Sequence, residues 1–392
     1  MSNDVYIIAA RRTPIGAFQG SLSGLTAPQL GAIAARSALA DSGVPVERID
    51  EAIFGCVLPA GIGQAPGRQA ALGAGVPQHV PATTVNKMCG SGMKAAMLAA
   101  DQIRAGSAEL VLAGGIESMS NAPYLVPKVR AGLRMGHAQL LDHMFYDGLQ
   151  SPFDGQMMGF FADATAKKYG FSREQQDEYA AESVRRALQA VESGAFATEI
   201  AAATIKDRKG ERVLAKDETP FTCDINKIPS LKPAFNKDGT VTAASSSSIS
   251  DGAAALVMAS AAAVREHNLK PLARVAGYSS YAQAPEWFTT APVGAIQGVL
   301  KKTGWNAQDV DLYEVNEAFA CVAMAAIHDL GLEHAKVNVH GGACALGHPV
   351  GATGARILTT LVHAMQRRGV KRGVASLCIG GGEATAMAVE LV

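Results

Sequence analysis

One supersecondary unit is written twice in this 392-residue chain, and a repeat of that size constrains the fold more than any single motif. Gly43 to Phe54 reads Gly-Val-Pro-Val-Glu-Arg-Ile-Asp-Glu-Ala-Ile-Phe, a connector followed by a strand. Gly304 to Val315 repeats it at an offset of 261, with Val310-Asp311 in place of Ile49-Asp50. Next, Cys89-Gly90-Ser91-Gly92 and His348-Pro349-Val350-Gly351 each open a helix. In the first, Met93, Ala96, Met97, Ala100 and Ile103 recur at helical spacing and Gly106 stops the run; Gly369 ends the second. Leu110-Val-Leu-Ala-Gly-Gly, closing on Glu117, then mirrors Val374-Ala-Ser-Leu-Cys-Ile-Gly-Gly-Gly, closing on Glu383. All offsets lie between 259 and 266.

Short strands alternating with capped helices predict an α/β protein of mostly parallel sheets, built from right-handed βαβ units and covered by helices on both faces. The two copies predict two similar domains, 1–118 plus 249–270 and 271–392, with a first strand at Val5-Tyr6-Ile7-Ile8. Residues 119–248, rich in Gly, Pro, Met and charge, read as an inserted loop domain. Within it, Ser172-Arg-Glu-Gln175 matches a capping box that starts a helix running to Gly194. Met119, Met135, Met144, Met157 and Met158, with Phe145, Phe153, Phe160 and Phe161, would line an adaptable channel or simply pack a loop-rich domain. Asp251 to Asn268 reads as an Ala-rich helix returning to the first domain. Cys89 and His348 take equivalent positions, so pseudo-twofold packing would bring both to one cleft.

Composition narrows the partners. Lys plus Arg and Asp plus Glu are both 35, a net charge of zero, which offers no broad field for nucleic acid or an anionic membrane. Hydrophobic residues make up 48% of the chain, yet no apolar run approaches the ~18 residues of a membrane span. Asp4 precedes the first apolar run and Arg11 and Arg12 follow it, the reverse of a signal peptide's charge order. The six cysteines are scattered, without the close pairs of zinc or redox motifs, and fit a reducing cytoplasm.

Cys89 carries the sharpest chemical signal. Unpaired N–H groups and partial positive charge at a helix N-terminus favour thiolate over thiol, which predicts a pKa below the usual ~8.5 and a sulfur able to attack an acyl group. An inert buried cysteine beside an apolar run is the alternative. Three C-terminal segments add candidates at strand ends, where open α/β sheets bind ligands. Asn316-Glu317-Ala318-Phe319 begins a helix, Gly341 to Pro349 is a glycine-rich turn ending on His348, and Ser376 to Gly382 contains Cys378. Each also has a structural reading: Asn316 as a helix cap, His348 as a core histidine, Cys378 as a small hydrophobe.

Together these segments resemble the thiolase family, the acetyl-CoA C-acetyltransferases and 3-ketoacyl-CoA thiolases, over essentially the whole chain. Four ordered signatures carry the resemblance: the Cys89 segment, Asn-Glu-Ala-Phe at 316–319, Gly-His-Pro at 347–349 and Cys-x-Gly at 378–380. The resemblance implies five layers, α-β-α-β-α, with 119–248 as a CoA-binding loop domain. It implies cleavage of 3-ketoacyl-CoA by CoA, and the reverse condensation of two acetyl-CoA, through a Cys89 acyl-enzyme. His348 would take the Cys89 proton, and Cys378 would be acid and base on the second substrate. One oxyanion hole would use His348 with a water on Asn316, the other the N–H groups of Cys89 and Gly380. Substrate and CoA contacts would fall on Leu149, Met157, Ala243, Ser247, Phe288, Ala318 and Phe319. No metal or organic cofactor is expected, CoA being a substrate. A cytoplasmic homodimer or homotetramer acting in fatty acid metabolism is implied.

Departures from the common pattern mark where specificity lies. Ala243-Ala-Ser-Ser-Ser-Ser248 replaces Gly-Asn-Ala-Ser; Ser247 matches by position and would bond the pantetheine amide, a flexible polar loop being the alternative. No arginine stands near Thr219-Pro220-Phe221, leaving Lys227, Lys232 or Arg134 for the nucleotide. His340 and Cys344 replace Asn and Ile in the glycine-rich turn, an exchange expected to leave the chemistry unchanged. Met157 precedes Met158-Gly159 where short-chain members carry histidine, so longer acyl chains are an alternative to acetoacetyl. Phe288 is expected near the acyl pocket. Less closely, a decarboxylating ketoacyl synthase shares the duplicated fold, and a silent CoA-binding scaffold is a third reading.

Overall fold

The computed structural model describes residues 4–207 and 210–392; Met1 to Asn3, part of the first expected domain, lie outside the described residues. A ten-stranded sheet runs in the order Leu312–Val315, Arg372–Ile379, Glu383–Leu391, Ala273–Ala282, Val5–Arg12, Ser250–Ser260, Leu110–Ser118, Glu51–Gly55, Ala82–Val85. The short strand Gly16–Ala17 pairs beside Ser250–Ser260. Two halves join edge to edge where Tyr6 pairs with Arg274 and Ile7 with Ala273. They correspond strand for strand. Glu51–Gly55 has parallel neighbours on both sides; Leu312–Val315 has Arg372–Ile379 on one side and a parallel bridge from Tyr313 to Val337 on the other.

Register refines the repeat. Glu51 pairs with Val111 and Leu312 with Gly373, so position 117 corresponds to 379. The sequence match of Glu117 to Glu383 is therefore displaced by the glycine turn. Parallel pairing is also less prevalent than expected: among the described residues, three pairings in the sheet are parallel and six antiparallel. In the second half, Gly381 and Gly382, at φ 97° and 93°, fold the chain into a hairpin that a crossover helix does not interrupt. In the first, the insertion brings the chain back antiparallel to Leu110–Ser118.

The Ala-rich stretch from Asp251 is the clearest correction. Ser250–Ser260 is a strand, and only Ala261–Glu266 is helical. Alanine favours helix locally, but this segment is buried almost throughout between two strands and two helical layers, where its small side chains fit and tertiary packing overrides propensity. It does return to the first half, as expected.

Five layers result. Helices Ala27–Ser42 and Pro66–Gly73 cover the outer face of the first half, and Ala291–Thr303 and Ala320–Leu330 cover that of the second. Ser91–Ala105 and Thr353–Arg368 fill the middle, stopped by left-handed Gly106 and Gly369. Both central helices are buried nearly all round, which small residues permit. A Cβ on Gly354 would stand 2.3 Å from Met93 N, and one on Gly92 2.8 Å from Ala355 N, so the helices cross backbone against backbone.

The stretch between Ser118 and Ser250 carries helices Met158–Tyr169 and Arg173–Glu192, the latter with the expected Ser172 capping box, and a hairpin pairing Ala203–Asp207 with Gly210–Leu214. Arg12, on the first strand, is fully buried and pins it through Glu199 (2.5 Å) and Asp217 (2.6 Å). Desolvating such charges is unfavourable unless each is paired, and here each carboxylate meets the same guanidinium.

Candidate active site

Cys89 stands on a turn two residues before the helix Ser91–Ala105. Met88 takes a left-handed φ of 47°, unusual for a side chain of its size. Polar bonds hold that turn: Met88 N–H donates to Asn86 Oδ1 (2.9 Å), Ser91 Oγ donates to Met88 O (2.7 Å), and Lys87 N–H donates to Ser91 Oγ (2.8 Å). The strain is thus offset locally, as is common where a backbone must present one side chain. Burial pushes the Cys89 thiol up to about 11, although the N–H groups of Gly380 and of Cys89 itself favour the thiolate. The expectation of a depressed pKa is overturned for the free enzyme: desolvation outweighs the helix terminus, and a proton acceptor is needed.

His348, on the wall of the same cavity, carries the candidate acceptor nitrogen, though burial weakens it as a base in the free enzyme. Its Nδ1 lies 2.6 Å from Thr353 Oγ1, and that hydroxyl donates to Pro349 O at 3.0 Å. The hydroxyl has one proton, so Nδ1–H is the donor to Thr353 and Nε2 keeps its lone pair. Nε2 is buried and has no hydrogen-bond partner among the described residues. Burial first, and the Arg356 charge second, push the imidazole down to about 3, keeping it neutral.

The other two candidates are enclosed. Cys378 is fully buried, its thiol pushed well up by burial and then by the neighbouring Cys89 sulfur. Asn316 is 1% exposed, its N–H donating to Ser376 O (2.9 Å), while both side-chain polar atoms lack a hydrogen-bond partner among the described residues. A buried amide with neither hydrogen bond made is poised for a ligand or water. The serine run is ordered rather than flexible: Ser247 N–H donates to Ala318 O (3.0 Å), Ala320 N–H to Ser245 O (2.8 Å) and His348 N–H to Ser248 O (3.0 Å). It laces the Asn316 segment to the His348 turn.

A largely apolar cavity of about 220 Å³ opens onto Cys89 and His348. Cys89, His348 and Gly380 line it, as do Leu149, Met157, Ser247, Phe288, Ala318 and Phe319, all named from sequence. Asn316 and Cys378 are not on its wall. Ala243 is exposed and outside it, because Thr242 and Ser245 bond each other and turn the chain away there. Among the proposed channel residues Met119, Phe145 and Met158 also line it, whereas Met135 is 98% and Phe153 70% exposed. Met144 and Phe161 are buried in apolar clusters and Phe160 lines another cleft. Lys227, Lys232 and Arg134 do not line the cavity. Sequence reasoning missed Phe235, Ile249 and Val350 on the wall. It also missed Thr353, whose spacing of five from His348 was its only signal.

The chain matches the family model described as thiolase, N-terminal domain over residues 5–262, and that described as thiolase, C-terminal domain over residues 269–391. It is 50% identical to an acetyl-CoA acetyltransferase of Pseudomonas aeruginosa over 386 residues, 98% of each chain. Its fold superposes on the Bacillus anthracis acetyl-CoA acetyltransferase with a TM-score of 0.97 at 42% identity, covering 100% of both chains. On human mitochondrial 3-ketoacyl-CoA thiolase the TM-score is 0.96 at 41% identity, covering 99% of both. The chain belongs to the thiolase family.

Proposed function

We propose that this chain is an acetyl-CoA C-acetyltransferase that interconverts two acetyl-CoA with acetoacetyl-CoA and CoA. The observation that carries the reading is that the Cys89 sulfur, His348 and Gly380 share one apolar cavity, with an acceptor nitrogen free on His348. In cleavage, His348 Nε2 takes the Cys89 proton and the sulfur attacks the 3-keto carbon. The C2–C3 bond breaks, Cys378 protonates the acetyl-CoA enolate, and an acyl group remains on Cys89. The thiol of CoA then attacks that thioester and regenerates Cys89. Charge on the oxygen of the carbon attacked by Cys89 falls to the N–H groups of Cys89 and Gly380, which face its sulfur, and charge on the enolate oxygen of the departing acetyl-CoA falls to His348 and a water on Asn316. The chemistry uses no metal or organic cofactor, CoA being a substrate.

One observation favours a longer-chain degradative thiolase as the second reading: the thioether and aromatic wall of Met157, Met158, Phe235 and Phe288. We further propose a homodimer or homotetramer acting in the cytoplasm in fatty acid metabolism; among the described residues no helix is long and apolar enough to cross a membrane. The division into 1–118 plus 249–270, 119–248 and 271–392 is kept as the proposed domain organisation, 119–248 receiving CoA.

CoA-dependent cleavage of acetoacetyl-, 2-methylacetoacetyl- and C6 to C16 3-ketoacyl-CoA, beside Cys89→Ala, tests the reading. Cleavage confined to the four- and five-carbon substrates and lost in the variant is expected. Activity across long chains selects the second reading. Absence of any cleavage, with malonyl-dependent condensation present, replaces both with a ketoacyl synthase.

A further inference from the structure

The halves meet at the site through nearly bare backbone. A Cβ on Gly90 would stand 2.4 Å from Ile379 Cδ1, and one on Gly115 2.3 Å from Gly351 O. Dispersion across such a joint is strong but has little directionality. Two carboxylates add directional bonds across it. Glu117 belongs to Leu110–Ser118 of the first half and is fully buried. It accepts from Val57 N–H (3.0 Å) and Leu58 N–H (3.1 Å) of its own half, and from Gly351 N–H (2.8 Å), three residues beyond His348. Glu383 opens Glu383–Leu391 of the second half and forms an ion pair with Lys87, two residues ahead of Cys89.

Each half therefore grips the loop bearing the other half's reactive residue. Both attachments are short. Lys87 is stitched into the Cys89 turn, its N–H donating to Ser91 Oγ and its carbonyl accepting from Gly90 N–H at 3.0 Å. Glu383 pairs with Ile379 in the hairpin, one position along the strand from the Cys378 pairing with Ala384. We propose that Glu117 and the Lys87–Glu383 pair are positioning residues that fix where Cys89 sits relative to His348 and Cys378. The proposal rests on the acyl-transfer reading above. The Lys87–Glu383 pair is partly exposed, with side-chain exposures of 23% and 37%, so it adds little to global stability and its variants fold. Its contribution is geometric, and misplacing a nucleophile slightly lowers the rate steeply.

Steady-state cleavage is measured for wild type, Lys87→Met, Glu383→Gln, Glu117→Gln and the exchange Lys87→Glu with Glu383→Lys, alongside iodoacetamide alkylation of Cys89. The single variants are expected to lose about tenfold or more in kcat, with KM and the alkylation rate held within about threefold. The exchange is expected to restore most of kcat, the coupling between directly interacting residues that a double-mutant cycle reads, and failure to restore it overturns the ion-pair clamp. Unchanged kcat in Lys87→Met and Glu383→Gln overturns the ion-pair clamp, and unchanged kcat in Glu117→Gln removes Glu117. Alkylation falling in step with kcat in Lys87→Met, without rescue by the exchange, would show Lys87 acting on the thiolate charge and also overturns the clamp. Inactive wild type, by contrast, defeats the acyl-transfer reading itself.

Discussion

Thr353 Oγ1 accepts a hydrogen bond from His348 Nδ1–H at 2.6 Å and donates one to Pro349 O at 3.0 Å. One hydroxyl thereby fixes both the tautomer and the plane of the imidazole, leaving Nε2 as the basic atom. Such outer partners orient a catalytic ring much as the third member of a triad does.

Thr353→Val should therefore lower kcat by about 10- to 100-fold, within the range that general-base catalysis supplies, while Thr353→Ser stays within about threefold of wild type because it keeps the hydroxyl. Cleavage kinetics on acetoacetyl-CoA decide it. Equal activity in the valine variant would mean that the tautomer is set elsewhere.

Cys89 should titrate late in the free enzyme. With the thiol near 11, raised above its ordinary value, the thiolate fraction at neutral pH is small and grows with pH. Alkylation of Cys89 by iodoacetamide, followed by peptide mass spectrometry, should rise about tenfold per pH unit between 7 and 10. A plateau below pH 8 would instead indicate a standing thiolate–imidazolium pair.

Phe288, 3% exposed and edge-on to Phe161 at 6.2 Å, occupies the cavity wall. Phe288→Leu keeps most of the apolar volume and should cost under about 1.5 kcal/mol of stability. It should raise kcat/KM for C6 and C8 substrates relative to C4 by several-fold, in line with one or two methylenes of pocket space. An unchanged ratio would move the chain-length limit to Met157 and Met158.

Gly354→Ala should destabilise the whole molecule. The added methyl would stand 2.3 Å from Met93 N, a backbone atom of the opposing helix that has no flexible side chain to yield. Overpacking of this kind costs about 1–3 kcal/mol, measurable as a lower urea midpoint at unchanged slope. Wild-type stability would mean that the crossing helices are free to separate.

The repeat, the central helices and their glycine stops were legible because helical spacing and left-handed caps are local signals. The Ser250–Ser260 strand was not, since its alanines become strand-forming only when sandwiched between Val5–Arg12 and Leu110–Ser118. Cys89, His348, Asn316 and Cys378 were found because nucleophile and proton carriers are chemically conspicuous residue types. Thr353 and Lys87 were not, because an ordinary threonine or lysine acquires its role only through a partner brought near by folding. The state of Cys89 was misjudged for a related reason: a helix terminus is visible in sequence, whereas the dryness around a sulfur is a property of everything packed over it.

Glycines 92 and 354, facing each other where the central helices cross, tie the history of one copy to that of the other. A duplicated module usually frees its second copy to diverge. Here a larger residue at either crossing point demands a retreat in the opposite repeat, so the two must vary in concert. The descendant of the duplication is for this reason a single indivisible machine, and neither repeat expressed alone would have a surface that water tolerates along its inner helix.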